Sequence, residues 1–287
     1  MKDQRLEKLI QIASNCALCP RCCGVDRAGG ELGFCGIGME ARVCSWGPHW
    51  GEESVLLGEG GSGTIFFAGC NLECVFCQNY EISRISRGHR LSWGELASVM
   101  LKLEKRGCAN VNLVSPSHQL PVIYEAIKTA RHEGLEVPVV YNSGGYDSVE
   151  ALQCFEGLVD IYMPDLKYAD ADVGRELSGV PDYPEKAKSA IKEMHRQVGD
   201  LIVRDGVAVR GLIVRHLVLP GGLAGTAECM RFIAEEVSKD TYVNIMDQYY
   251  PEYRACARED LNRRITRAEY QQAVEIARSY GLWNFAD

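Results

Sequence analysis

Residues 64–77 of the chain read TIFFAGCNLECVFC. The first five are apolar or β-branched, which predicts a buried strand over 64–68. Cys70, Cys74 and Cys77 follow on a short loop. Thiolates this close can face one metal centre, and three of them leave one position of a four-coordinate centre without a protein ligand. Because an open metal position is where chemistry takes place, the loop predicts a reactive centre.

The spacing C-x3-C-x2-C, with Gly69 before it, resembles the cluster loop of the radical S-adenosylmethionine (SAM) enzymes. The resemblance implies that Cys70, Cys74 and Cys77 hold three irons of a [4Fe-4S] cluster. It also implies that the fourth iron binds the amino and carboxylate groups of SAM, and that Phe76 packs on the adenine. The alternative is a structural zinc site or a redox-inert cysteine cluster.

The composition limits which partners the chain can bind and in which compartment it is expected. With 287 residues, it can form one large α/β domain or a smaller core with appended elements. A net charge of −8 argues against a nucleic-acid partner held through phosphate contacts. No stretch approaches the roughly 20 apolar residues of a membrane helix, and residues 1–8 lack the apolar core of a secretion signal. We therefore expect a cytoplasmic protein without a membrane partner.

Nine of the 13 cysteines precede residue 78. In a reducing compartment such cysteines indicate metal ligands rather than disulfides. Six of them lie before the 70–77 loop, and four of these predict a second metal site, at Cys16, Cys19, Cys23 and Cys35. Cys22 is an alternative to Cys23, since neighbours cannot usually both reach one metal. Four thiolates suit either zinc or a second iron–sulfur cluster, and both remain open. The alternative to a metal site is a set of free thiols.

The order of elements predicts the fold class. After a short helix over 3–13 and a glycine-rich segment, apolar strands are predicted over 64–68, 110–114, 137–141, 159–163, 211–219 and 242–246. They alternate with amphipathic helices predicted over 92–106, 120–132, 148–155, 183–198, 226–238 and 266–280. Six strand–helix pairs indicate a parallel sheet with right-handed crossovers. We predict an α/β fold: a partial (β/α)6 barrel of the radical SAM type with an N-terminal Cys-rich metal-binding extension.

This prediction divides the chain into three parts. Residues 1–63 would form the helix and Cys-rich segment, 64–255 the barrel, and 256–287 a C-terminal helical segment packed on it. Ligands of such sheets bind at the carboxyl ends of the strands. Functional residues are therefore expected directly after each strand.

Asp165 and Lys167 follow the fourth predicted strand in the run Met-Pro-Asp-Leu-Lys. This run is similar to the "DLK" element of the glycyl-radical-enzyme activases, in particular of their pyruvate formate-lyase-activase-like branch with an extra N-terminal Cys motif. The resemblance implies that the Asp helps to bind a monovalent cation and that the Lys contributes to the SAM site. The alternative is a surface ion pair at a strand end.

Four further residues at strand ends are candidate cofactor ligands. Asn142 and Ser143 could complete an oxygen-ligand cation site, or belong to a plain glycine turn. Arg215 and its neighbour His216 point to opposite faces of their strand, so at most one lines the barrel interior. Arg215 could bind the carboxylate of SAM in a bidentate contact. Gln248 lies in an aromatic-polar run that suits adenine packing or a lid.

One strand end departs from the activases. Their Gly-Gly-Glu, which holds the amino group of SAM, is replaced after the second predicted strand by residues 115–118, Ser-Pro-Ser-His. By position, Ser115, Ser117 or His118 would fill that role.

These patterns support three functional hypotheses. In the first, reductive cleavage of SAM gives a 5′-deoxyadenosyl radical that takes hydrogen from a glycine of a separate glycyl radical enzyme, such as pyruvate formate-lyase. In the second, the same chemistry acts on a small molecule or another peptide. Both need an external one-electron donor such as flavodoxin or ferredoxin. In the third, the chain is a non-catalytic metal or electron-transfer protein.

Overall fold

The computed structural model describes residues 3–85 and 88–286. The strands are β1 (Ala41–His49), β2 (Ser62–Phe67), β3 (His89–Leu91), β4 (Val111–Val114), β5 (Val139–Ser143), β6 (Ile161–Pro164), β7 (Ile202–Arg204), β8 (Val207–Leu217) and β9 (Tyr242–Met246). The helices are α1 (Gln4–Ser14), α2 (Ser54–Leu57), α3 (Tyr80–Ile85), α4 (Trp93–Lys105), α5 (Leu120–His132), α6 (Val149–Gln153), α7 (Ala171–Ser178), α8 (Tyr183–Val198), α9 (Thr226–Phe232) and α10 (Arg267–Ser279). A π-helical stretch, Ile233–Val237, continues α9.

The six strands predicted from the sequence form one curved, parallel layer. Their order is β2-β4-β5-β6-β8-β9, and each neighbouring pair is parallel. A helix lies between each strand and the next, so the predicted partial (β/α)6 barrel is confirmed.

Burial explains why these strands could be read from the sequence. All five residues of β5 are buried, as expected for a parallel strand that is covered on both faces. The helices add local signals, since Ser92 with Glu95 and Thr266 with Glu269 form capping boxes at the starts of α4 and α10. Local preference and tertiary burial therefore agree over most of the barrel.

Three strands and several short helices were not predicted. β1 pairs antiparallel with β2 and carries β3 on its other side, so part of the N-terminal segment joins the sheet. Its residues Gly47 and Pro48 indicate a turn, and Pro48 is tolerated because it lies at the end of the strand. β7 forms a hairpin with β8 through Asp205 and Gly206, both at positive φ, as a two-residue Asp-Gly turn requires.

Residues after α10 pair with β9, the last strand of the barrel. Val243 of β9 pairs with Phe285, and its N–H donates to the carbonyl oxygen of Asn284 at 2.9 Å. None of the helices in the described part of the chain has both the length and the apolar character needed to cross a membrane.

Candidate functional site

One cavity of about 240 Å³ opens at the carboxyl ends of the parallel strands. Residues at or just beyond the ends of all six strands line it. The lining includes the three loop cysteines together with all nine predicted cofactor residues: Phe76, Ser115, Ser117, Asn142, Ser143, Asp165, Lys167, Arg215 and Gln248. The structure thus brings these residues together, while their individual roles remain predictions.

The cysteine loop leaves β2 through Gly69, whose φ is +78°. A Cβ at this position would lie 2.5 Å from the carbonyl oxygen of Cys35, so only glycine fits. The loop is then attached to the end of α7. The N–H of Glu73 donates to the carbonyl oxygen of Ser178 at 3.2 Å, and that of Val75 to Leu177 at 2.9 Å.

Each sulfur of the loop has a polar neighbour. Cys70 Sγ accepts the N–H of Leu72 at 3.4 Å, and Cys74 Sγ lies 3.0 Å from Ser178 Oγ. Cys77 Sγ lies 3.4 Å from the hydroxyl of a serine on α3. Burial raises the pKa of Cys70 to about 12 and also raises that of Cys74. Without a metal these thiols stay protonated at neutral pH, whereas a bound metal deprotonates its thiol ligands.

The three sulfurs suit an iron–sulfur cluster chemically. Clustered cysteine thiolates are its usual ligands, and serine hydroxyls beside sulfur tune such centres. Across residues 3–85 and 88–286, no three His, Cys, Asp or Glu side chains converge closely enough to hold a single metal ion. A four-iron cluster is wider than one ion, and its ligand sulfurs stand correspondingly further apart.

A network of charges faces the loop. Asp165 accepts Arg215 Nε on Oδ1 at 2.8 Å and Lys167 Nζ on Oδ2 at 2.5 Å. Arg215 also donates from Nη2 to Asn142 Oδ1 at 2.8 Å. Two cations thus share the carboxylate of Asp165. Their N–H donors suit a ligand with a carboxylate group.

The charges of this network set the pKa values of its members. Burial acts to raise the pKa of Asp165, but Arg215 and Lys167 outweigh it and hold the pKa below its ordinary value. Burial acts to lower the pKa of Lys167, and Asp165 outweighs it, so this pKa is raised. All three groups are therefore charged at neutral pH. Each carboxylate oxygen of Asp165 accepts one cationic donor, and the monovalent cation stays a prediction.

The serines of the cavity are tied to a carboxylate that the sequence analysis missed. Ser143 Oγ donates to Asp147 Oδ2 at 2.6 Å, and Tyr141 donates to Oδ1 at 2.9 Å. Ser117 also hydrogen-bonds Asp147, whose pKa burial raises. Ser115 has φ +60°, and its N–H donates to the carbonyl oxygen of a β5 residue. This strain at a cavity residue is typical of functional sites.

The glycine turn after β5 packs directly on the fourth strand end. Gly145 has φ +79°, and a Cβ there would lie 2.1 Å from the carbonyl oxygen of Asp165. The hydroxyl of Tyr183 bridges the two strand ends, since it lies 2.9 Å from the carbonyl oxygen of Gly144 and 2.8 Å from that of Asp165. The turn therefore fixes the position of the charged network.

Phe76 and Gln248 also line the cavity. The Phe76 ring meets Tyr168 and Tyr249 edge to face, with centroids 6.3 Å and 6.0 Å apart. Gln78 Nε2 donates to the carbonyl oxygen of Gln248 at 3.3 Å and so joins the cysteine loop to the end of β9. The aromatic contacts hold the Phe76 ring in a fixed orientation.

The two histidines considered from the sequence lie outside the cavity lining. His216 is fully buried on the opposite face from Arg215, as the alternation of strand residues predicts, with Nδ1 2.7 Å from the carbonyl oxygen of Leu166. His118 Nε2 lies 2.8 Å from the carbonyl oxygen of Ala68, beneath the loop. Ser115 and Ser117, not His118, therefore reach the cavity from β4.

Two further carboxylates lie beneath the site. Glu53 Oε1 accepts Asn244 Nδ2 at 2.9 Å, while its Oε2 is buried without a hydrogen-bond partner among the described residues. Burial raises the pKa of Glu52, and Arg215 opposes that rise. Glu52 and Glu53 belong to a Gly-Glu-Glu run in a turn region, and such a run predicts carboxylates exposed to solvent. Only their packing under Arg215 indicates a role in balancing its charge.

The second cysteine group lies behind the loop. Cys16, Cys19 and Cys35 are buried, and Cys23 is half-buried, whereas Cys22 is exposed. Of the two neighbours that the sequence left open, Cys23 is therefore the one on the inner side.

The first parallel strand of this α/β barrel is followed by three cysteines, which leave one position of a metal centre without a protein ligand. This combination is typical of one class of metal-cluster enzymes. The chain belongs to the radical SAM superfamily, whose family profile matches residues 64–213. An uncharacterized protein of Methanocaldococcus jannaschii is 35% identical over 288 residues, which cover 98% of this chain and 79% of that protein. Membership in this family implies a [4Fe-4S] cluster and SAM as cofactors.

Solved structures agree with the fold. Streptococcus suis SuiB bound to SAM has a TM-score of 0.54 at 13% identity, covering 76% of this chain and 48% of SuiB. SuiB bound to its precursor peptide SuiA has a TM-score of 0.53 at 13% identity, with 76% and 46% covered. The chain thus spans about half the length of SuiB, and identity this low shows a shared fold alone.

Proposed function

We propose that this radical SAM enzyme activates a glycyl radical enzyme, such as pyruvate formate-lyase, by taking a hydrogen atom from a backbone glycine of that protein. The observation that carries the proposal is the Asp165–Lys167 element. Both of its charged side chains line the cysteine-containing cavity. There Lys167 and Arg215 each donate a hydrogen bond to Asp165. A surface ion pair, the alternative reading of the sequence, would be exposed to solvent.

When bound, the cluster and SAM supply reductive carbon–sulfur cleavage and a 5′-deoxyadenosyl radical. The chain's own residues bind and orient the reactants. In this proposal Cys70, Cys74 and Cys77 hold the cluster. Lys167 and Arg215 provide positive charge for the carboxylate of SAM.

Asp165 keeps the two cations apart and in register, which is a positioning role. Phe76 presents its ring to the adenine, and its edge-to-face contacts restrict it to one orientation. Ser115, Ser117, Asn142 and Gln248 supply polar groups around the remaining surface of SAM. Ser143 acts indirectly, because its hydroxyl donates to Asp147.

A second candidate function is favoured by the end of β4. Where activases carry a glutamate for the amino group of SAM, this cavity is lined by Ser115 and Ser117. The difference supports a radical SAM enzyme that modifies a small molecule or another peptide. SuiB, which shares the fold, has been solved with its precursor peptide SuiA.

The first experiment tests the shared chemistry. Anaerobically reconstituted protein is treated with SAM and dithionite, and 5′-deoxyadenosine is measured. We expect wild type and Cys229→Ala to form it, because Cys229 is buried in the α9 region away from the cavity. Cys74→Ala should form none and lose the active-site iron–sulfur spectrum. Normal cleavage by Cys74→Ala would show that the site is wrongly assigned.

The second experiment separates the candidates. The reduced protein is incubated with SAM and purified glycyl radical enzymes, and a glycyl doublet is sought by electron paramagnetic resonance. A doublet that Cys74→Ala does not produce supports activation. Formation of 5′-deoxyadenosine without a doublet in any of these proteins favours the second candidate. Replacing dithionite with reduced flavodoxin or ferredoxin tests the proposed electron donors, and absence of any SAM cleavage would favour a non-catalytic metal protein.

A further inference from the structure

We propose that Asp147 is a positioning residue, which makes the Ser117 hydroxyl a hydrogen-bond acceptor and so directs the amino group of SAM to the β4 end of the cavity. The proposal rests on SAM as the cofactor, which both candidate functions share. It holds for any substrate on which the enzyme acts.

Asp147 lies in the turn between β5 and α6 and is only 2% exposed. Its Oδ2 accepts the hydroxyl of Ser143 at 2.6 Å, and its Oδ1 accepts that of Tyr141 at 2.9 Å. Ser117, from the segment after β4, hydrogen-bonds the same carboxylate. Ser117 lines the cavity, whereas Asp147 is not among the described residues that do. Any hydrogen-bonding effect of Asp147 on a ligand therefore passes through a neighbouring residue.

The Ser117 hydroxyl has two partners in the protein, Asp147 and Tyr141, and both require a donor. Both oxygens of Asp147 accept hydroxyls, which is the hydrogen-bonding pattern of an ionised carboxylate. Tyr141 already donates its hydrogen to Asp147. A serine hydroxyl has one hydrogen and two lone pairs, so the hydrogen of Ser117 is used within this network. A ligand that contacts the Ser117 hydroxyl must therefore donate a hydrogen bond to it.

The charge of Asp147 also favours a cation in the cavity. In the described part of the chain, no Lys, Arg or His forms an ion pair with it. Burial, and in addition the charge of Asp165, raise its pKa, and the hydrogen bonds from the hydroxyls oppose that rise. A buried carboxylate with neutral donors alone is unfavourable, and a cationic ligand nearby offsets this cost. An amino group supplies both the positive charge and the N–H donors.

The β6 and β8 end of the cavity has the complementary character. Lys167 and Arg215 line it, and their side chains only donate hydrogen bonds. A carboxylate only accepts hydrogen bonds, and a protonated amino group only donates them. The amino-acid part of SAM therefore fits in one direction, with its carboxylate toward Lys167 and Arg215 and its amino group toward Ser117.

The test compares two ligands that differ only at the amino group: SAM and its keto analogue, in which a carbonyl oxygen replaces the amino group. Their dissociation constants are measured by calorimetry on the anaerobically reconstituted protein, without a reductant, so that no turnover occurs. The ratio of the two constants reports how strongly the protein prefers the amino group. Any contribution of the metal centre to this preference is the same in each variant and cancels in the comparison.

Two variants remove the proposed acceptor. Ser117→Ala deletes the hydroxyl, whereas Asp147→Asn brings an amide donor into the network, so that a serine hydrogen becomes free to point at a ligand. We expect the preference for SAM to fall by about tenfold or more in both, because a hydrogen bond to a charged group contributes about that much. Affinity for the keto analogue should be unchanged in Ser117→Ala and equal or higher in Asp147→Asn.

Asp182→Asn is the matched control. Asp182 also accepts a tyrosine hydroxyl, that of Tyr146 at 2.7 Å, but Tyr146 does not line the cavity. This variant should keep the ratio of the wild type. Circular dichroism checks that each variant is folded.

The outcomes separate this proposal from the cofactor assignment on which it rests. If wild type binds no SAM, both are wrong. If wild type binds SAM, but Asp147→Asn or Ser117→Ala weakens both ligands by the same factor or leaves both unchanged, the role assigned to Asp147 and Ser117 alone is wrong. A purely structural carboxylate would give that equal loss.

Discussion

The close contact between the glycine turn after β5 and the fourth strand end can be tested with a pair of glycines. Gly145 and Gly157 both have φ +79°. A Cβ at Gly145 would lie 2.1 Å from the carbonyl oxygen of Asp165, whereas at Gly157 it would meet nothing within 4 Å. Comparing Gly145→Ala with Gly157→Ala therefore cancels the cost of the backbone conformation and leaves the cost of the contact.

The magnitudes follow from these two terms. An alanine in the left-handed region costs about 1–2 kcal/mol, and both variants bear that cost. Overpacking against a fixed backbone oxygen adds about 1–3 kcal/mol to Gly145→Ala alone. We expect the free energy of unfolding of Gly145→Ala to be lower than that of Gly157→Ala by about 1–3 kcal/mol.

Denaturant unfolding followed by circular dichroism, under anaerobic conditions, measures this difference. SAM binding by calorimetry provides a second measurement. Because the clash displaces the backbone that carries Asp165 and Lys167, Gly145→Ala should bind SAM more weakly, while Gly157→Ala should bind it as wild type does. Equal loss of stability in the two variants, with equal SAM affinity, would refute the described packing of the turn.

Three further predictions concern charge, pH and the aromatic wall. Asp165→Asn leaves two buried cations without their counter-charge, so the free energy of unfolding should fall by about 3–5 kcal/mol; adding Lys167→Met should restore part of it, and a further loss in the double variant would contradict this. Burial lowers the pKa of His118 and of His216 to about 4 from 6.5. The unfolded chain therefore binds more protons between these values, and stability, complete above pH 6.5, should fall toward pH 4 by up to about 1.4 kcal/mol per pH unit for each histidine. His216→Gln should reduce that slope in denaturant unfolding at several pH values, and an unchanged slope would argue against a neutral buried His216. Phe76→Ala should weaken SAM binding by about 1–3 kcal/mol in calorimetry if its ring packs on the adenine, and unchanged affinity would remove Phe76 from the site.

The barrel could be predicted from the sequence because its strands are local patterns. Each parallel strand is a short apolar run bounded by polar or glycine residues, and burial on both faces preserves that run. β1 could not be predicted in this way. Its Gly47 and Pro48 indicate a turn, and the strand exists because the exposed edge of β2 offers hydrogen-bond partners.

The site was predictable where strand order alone brings residues together. Asp165 and Lys167 follow β6, and Arg215 lies in the neighbouring parallel strand β8, so their meeting requires only the topology. The buried carboxylates Asp147 and Glu52 were not predictable, because nothing in the local sequence distinguishes a buried acid from a solvated one. Glu52 interacts with Asn112 and Arg215, far away along the chain. Asp147 combines the distant Ser117 with its near neighbours Tyr141 and Ser143.

The pairing of β1 with β2 has a consequence for how the barrel moves. With β1 on one side and β4 on the other, the strand that carries the cysteine loop is an interior strand with both rows of backbone hydrogen bonds used. Its amides should be among the slowest to exchange with deuterated water, so breathing of the barrel should spare the base of the loop. Widening to admit a bulky reactant would then come from the β9 side, where Gln248 meets Gln78 across the mouth.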